Sequence, residues 1–235
     1  MRIMSNLYNL EKDLSVSSDQ KQCRQCGTCC RKGGPALHDE DRDLLRDGKI
    51  SYRDLVTIRE GELAYSPGSG ALEPARREMV KINGRAGGWT CFFFEEESSS
   101  CGIYAHRPLE CRLLKCWDTD EVLAVAGRDT ITRHDIVNAG ELIHDLIAHQ
   151  HRECPAEVVA TATAAWRQHP ENEKCRAVLA DLVRRDLALR DHAVDELGLP
   201  AEVEFFVFGR PLFKQLAGFG IGIREQAGRL EFLWP

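Results

Sequence analysis

The run Cys23-Arg24-Gln25-Cys26-Gly27-Thr28-Cys29-Cys30 constrains this chain more than any other segment. Cysteines three apart in a tight turn can bring their sulfurs close enough to share one metal centre. Zinc takes four such thiolates in a tetrahedron, and iron–sulfur clusters take four at their iron corners. Gly27 directly follows Cys26, which allows a positive-φ turn that aims backbone N–H groups at sulfur. Adjacent Cys29 and Cys30 are expected to point apart, so that they serve different sites or one of them is spare.

The chain has ten cysteines in 235 residues, and eight of them lie between Cys23 and Cys116. The second group is Cys91, Cys101, Cys111 and Cys116. Together with Cys23, Cys26, Cys29 and Cys30 it could complete two four-thiolate sites, or one site with a redox or structural remainder. A single multinuclear centre is the lesser reading. Lys21, Arg24, Arg31 and Lys32 surround the first group, and Arg107, Arg112 and Lys115 the second. A centre of four thiolates around zinc, or around an oxidised four-iron cluster, is anionic. Nearby cations favour the thiolate form and offset that charge. Trp89, Phe92, Phe93, Phe94, Tyr104 and Trp117 are candidates for an apolar shell. Zinc and an iron–sulfur cluster both fit. The run resembles ferredoxin spacing without its usual fourth cysteine, and C-x2-C-G resembles a zinc knuckle equally well.

Composition sets the outer bounds. Apolar residues make up 43% and charged residues 29%, which fits a globular chain and not a disordered one. The net charge of −6 argues against broad binding of nucleic acid or anionic membranes. Met1–Leu10 has no apolar core of a secretory signal, and no stretch approaches about 18 consecutive apolar residues. The expected location is the cytoplasm, where clustered cysteines are more often metal ligands or redox groups than disulfides.

The expected fold class is α+β: a small, irregular, cysteine-rich metal-binding module with a short β-hairpin, packed with a mainly helical second half. The expected division is an arm over 1–20, the cysteine module over 21–118 and a helical region with terminal strands over 119–235. His38–Asp47 reads as a short helix stopped by Gly48. Residues 61–75, with Pro67, Gly68 and Gly70, read as a loop. Met79–Ile82 and Trp89–Phe94 read as strands, the latter in a hairpin that carries Cys91 and Cys101. A short helix after Pro108 is expected to carry Cys111 and Cys116. Downstream, helical periodicity covers Asp135–His151, Pro155–Gln168 and Glu171–Leu197. Glu202–Phe208 reads as a strand, and a last hairpin turns at Gln226-Ala227-Gly228.

The cysteine pattern resembles a family. The CxxCxxCC, or YkgJ-type, cysteine-cluster family begins with the Cys23–Cys30 run. It continues with a Cys before aromatic residues, here Cys91-Phe92-Phe93. It then has C-x-I-Y-x-x-R-P-x-x-C-R, here Cys101 to Arg112. The resemblance covers roughly residues 20–117 and implies a zinc- or iron-chelating domain. Relatives commonly continue with an aromatic–Pro pair. This chain has Leu113-Leu114-Lys115-Cys116-Trp117, which makes Cys116 the eighth ligand of a variant pattern. Some relatives carry a flagellin lysine methylase label.

Other candidates are weaker. His38 and His106 could replace a thiolate, but read better as supporting or surface groups. His144, His149 and His151 share one helix and read as an exposed polar face. Gly218-Phe219-Gly220-Ile221-Gly222 resembles part of a nucleotide-binding run but precedes a strand instead of opening a helix. Cys154 and Cys175 read as bystanders. The sequence therefore supports a metalloprotein with a structural or electron-transfer centre of up to eight thiolates, its helical half free to dock a protein partner. A cluster-dependent enzyme, either a protein-modifying transferase or a thiol-redox catalyst, is one alternative. A zinc- or iron-handling protein is the other.

Overall fold

A computed structural model describes residues 20–226 and 229–235. Of the expected arm, all but Gln20 lies outside the described residues, as do Ala227 and Gly228 of the last turn. The front part runs α1 (Thr28–Arg31), α2 (Arg42–Arg46), β1 (Leu55–Ile58), β2 (Leu63–Ser66), β3 (Ala71–Pro74), β4 (Met79–Ile82), β5 (Phe94–Glu95), β6 (Ser100–Cys101), α3 (Leu109–Leu113) and α4 (Asp120–Val125). The rest is α5 (Leu142–Glu153), α6 (Ala156–Gln168), α7 (Glu173–Asp195), α8 (Glu204–Phe208), α9 (Leu212–Ala217), β7 (Gly222–Gln226) and β8 (Arg229–Leu233). Strands pair antiparallel in twos: β1 with β4, β2 with β3, β5 with β6 and β7 with β8. The fold is mixed α+β, as the sequence implies.

Apolar spacing explains the long helices. In α7, Leu179, Leu182, Val183, Leu189 and Ala193 are buried along one side. Asn172 caps its start, its side-chain oxygen accepting from the N–H groups of Lys174 and Cys175. That satisfies two donors that the first turn leaves without partners. One core joins Leu37, Leu55, Val80, Ile82 and Phe94 to Ile131, Ile147, Phe206 and Phe208. A second gathers Cys154, Trp166, Leu179, Val183, Leu212 and Leu216. Phe206 is fully buried and stacks on Tyr52 at 4.3 Å between ring centroids, while its carbonyl accepts the Thr57 hydroxyl at 2.6 Å. Burying such a ring stabilises by about 1.5–3 kcal/mol, which ties α8 to β1.

Several sequence readings are corrected. Glu204–Phe208 is helical, not a strand. Its Phe206, Val207 and Phe208 are all buried, and three successive buried residues in a five-residue helix show no 3.6-residue pattern. The expected loop over 61–75 contains the β2–β3 hairpin. The strand read over Trp89–Phe94 shrinks to Phe94–Glu95, and Cys91 instead makes an isolated bridge with Gly84. The helix that carries Cys111 ends at Leu113, before Cys116. The first long helix begins at Leu142, not Asp135.

Candidate metal centre

The Cys23–Cys30 run closes on itself through Gly27. With φ at +73°, this residue sits in the left-handed region that favours glycine. A Cβ here would overlap the buried Phe94 ring. The turn can therefore lie flat on Phe94 only because residue 27 has no side chain. Arg31 closes over the same ring at 4.8 Å and pairs with Glu96 at 2.8 Å. Phe94 pairs with Cys101 in the β5–β6 register, so one ring docks the first cysteine group onto the second. The backbone does the same a few residues away, where the Cys91 N–H donates to the Cys30 carbonyl at 2.8 Å.

Cys111 is delivered from the other side. The Asp41 carboxylate accepts the His38 N–H at 3.0 Å and the Leu109 N–H at 2.8 Å. Glu110 accepts the Ala36 N–H at 2.9 Å and lies 3.3 Å from His38 Nε2. These bonds tie the start of α3 to the segment that follows the cysteine run. Neither histidine stands as a free ligand beside the thiols. His38 is buried and engaged with Glu110, and His106 stands exposed in the turn before α3. The Glu110 contact raises the pKa of His38 above its ordinary 6.5, although burial opposes the charge. A raised histidine contributes stability that is complete below the unfolded value and is lost as pH climbs through the folded one. The melting temperature of the wild type should therefore exceed that of His38→Gln at about pH 6, with the difference shrinking by about pH 8. A difference that does not change with pH would rule the latch out.

The eight predicted thiols are not equivalent. Cys29 and Cys30 have their sulfurs 3.9 Å apart, which corrects the expectation that they diverge. The pair titrates together: the Cys30 thiol donates to a Cys29 thiolate, so Cys29 is pulled down to about 6 and Cys30 is driven up. Cys26 is lowered by the Thr28 hydroxyl, 3.2 Å from its sulfur. Burial raises Cys91 and Cys111, and the neighbouring thiols raise them further: Cys101 and Cys29 act on both, and Cys91 acts on Cys111. Cys91 and Cys111 act on Cys30 in turn. Mutual repulsion of this kind marks thiols that share one locality. The Cys23 sulfur accepts the Gln25 N–H, and the Cys116 sulfur accepts the Gln20 amide, each at 3.4 Å.

Among the described residues, no three His, Cys, Asp or Glu side chains converge as a ready-made metal site. The thiols are neighbours and not yet a coordination sphere. Their donor chemistry fits zinc or iron, since thiolates are the ligands both share. Of the cations expected around them, Lys32 lowers Cys29, but Lys115 pairs with Glu121 and Arg107 lies over the Tyr104 ring at 3.9 Å. Phe92, Phe93 and Phe94 pack toward the first core as an apolar backing, whereas Trp89 and Tyr104 are exposed. Thr28, Asp41 and Glu110 carry no sequence signal of their own, and although Phe94 and His38 are sequence candidates, the contact of Phe94 with Gly27 and the pairing of His38 with Glu110 are not legible there. These contacts are found only once the chain is folded.

The remaining candidates lie elsewhere. Cys154 is buried in the second core, its thiol pushed up to about 12, mainly by burial, and Cys175 packs against the same core. The His134 ring lies between those of His144 and His151, at 6.3 and 5.6 Å. Seven helical residues separate His144 from His151 by about 10 Å of rise, too far for both to meet His134 around one tetrahedral ion. The Gly218–Gly222 run links α9 to β7 and opens no helix.

These features define a cysteine-rich domain on an α+β scaffold. Residues 22–134 match the model of the CxxCxxCC family, which is described as a "Putative zinc- or iron-chelating domain". The match supports a general metal-binding role. No curated protein and no solved structure matches the chain. Among the described residues, no helix is long and apolar enough to cross a membrane.

Proposed function

We propose that this protein is a metalloprotein whose cysteine groups form one merged centre for zinc or an iron–sulfur cluster, in a structural or electron-transfer role. Cys29, Cys30, Cys91, Cys101 and Cys111 supply the inner thiolates, with Cys26 beside them and Cys23 and Cys116 at the rim. One observation carries the reading: thiols more than sixty residues apart in sequence, Cys30 and Cys91, are joined by a backbone bond and sense each other's charge. When bound, the metal would hold the thiolates together and set any redox chemistry. The chain holds the run flat on Phe94 and latches α3 through His38, Asp41 and Glu110.

Alkylation of the purified protein followed by peptide mass analysis tests this. The five inner thiols should be protected together and released together by a strong chelator of zinc and iron. Release in two separate steps would split the centre into two sites. Labelling of all five without chelator would defeat the reading. The lowered pKa of Cys29 favours thiol-redox catalysis as a second reading. A metal-loaded protein in which neither Cys29 nor Cys30 is labelled would exclude it.

A further inference from the structure

Lys81 sits at the third position of β4, paired with Val56 of β1 and bridged by Ala36 on its other side. Its neighbours Val80 and Ile82 point into the core, so the lysine emerges on the opposite face of the two-stranded sheet. A Cβ placed on Gly33 would lie 3.9 Å from the Lys81 ammonium and 3.7 Å from the Trp89 carbonyl. The ammonium therefore stands at the seam between two cysteine-bearing segments. Gly33 is three residues past Cys30, and Trp89 is two before Cys91.

The neighbouring charges are already engaged. Glu62 pairs with Arg210, and Glu110 is held by His38 and the Ala36 N–H. Among the described residues, the Lys81 ammonium makes no hydrogen bond and no ion pair. The side chain is largely withdrawn from water, which penalises its charge, and Arg210 nearby adds to the penalty. Cys91 and Glu110 act the other way. An uncompensated cation in such a place is costly unless something anionic comes to meet it. Four or more thiolates around a metal are such a group.

We propose that Lys81 is the internal counter-cation of the cysteine centre, a positioning residue whose ammonium balances thiolate charge when metal is held. The inference rests on the metal-binding reading and adds to it a residue with no cysteine near it in sequence.

The test compares the full chain with K81M, K81Q and K81R, using zinc as the probe in competition with a chromogenic chelator. Circular dichroism and a thermal melt check the fold of each. Loss of a partner that supports a metal's ligands typically weakens binding about 10- to 100-fold. K81M should show a weakening of that size, and K81R should recover most of it. K81Q repeats the neutral test with a polar side chain, should the methionine variant fold poorly. If the wild type binds zinc and the neutral variants bind it as tightly, the counter-cation is refuted and the centre stands. Equal weakening in K81R also refutes it, because charge would not be what matters. A wild type that holds neither zinc nor iron would overturn the underlying reading itself.

Discussion

Cys111→Ser is expected to lose at least about half of the bound metal and to lower the melting temperature sharply, because binding free energy at a thiolate site is largely folding free energy. Serine nearly preserves side-chain size, so a cavity is not the cause. The change removes a soft ligand and leaves a hydroxyl that stays protonated. Cys111 sits on α3, which His38, Asp41 and Glu110 fix against the segment after the cysteine run. Loss of metal there should loosen both halves of the centre at once. Apparent binding energies for structural zinc reach about 10–16 kcal/mol, more than most domains have in total stability. Cys175→Ser, in α7 against the second core, should leave metal content unchanged. Elemental analysis of both variants checks the pair of expectations, and a Cys111 variant with full metal content would remove that residue from the ligand set.

Arg133→Met is expected to cost about 3–5 kcal/mol, the range for stripping one partner from a buried ion pair. Arg133 is fully buried. Its guanidinium donates to both Glu78 oxygens, at 3.0 and 2.5 Å, to Gln150 at 2.9 Å and to the Val207 carbonyl. Burial pushes the Glu78 carboxyl up, and the Arg133 bonds and charge overcome this to hold it below its usual value. Without the arginine, a carboxylate would be stranded beside an apolar core. Replacing both partners, as in Glu78→Met with Arg133→Met, should restore much of the loss, since an apolar pair does not carry the desolvation cost. Urea unfolding compares both variants with the wild type. A single-variant loss under about 1 kcal/mol would show that solvent reaches the pair.

Local rules expose some of this fold and miss the rest for identifiable reasons. The α6 and α7 helices are legible because each packs one side and leaves the other to water, so the 3.6-residue period survives. The β7–β8 hairpin is legible from short apolar runs around a glycine turn. By contrast, α8 is hidden by its shortness and its three successive buried residues, and the β2–β3 hairpin by the proline and glycines of its own turn. The cysteine set is visible by spacing alone. Which thiols meet is not, because that depends on Phe94 under Gly27 and on the Cys91–Cys30 backbone bond. The divergence expected for Cys29 and Cys30 fails because a short helical turn sets their sulfurs side by side. Lys81 is the extreme case. Nothing near it in sequence marks it, and only the pairing of β4 with β1 carries it to the seam of the centre.

The most direct measurement is an absorption spectrum with elemental analysis on protein purified without oxygen. One merged thiolate centre predicts at least about one equivalent of zinc in a colourless sample, or iron with sulfide in a brown one. Less than about half an equivalent of either metal in a folded sample would contradict the central claim.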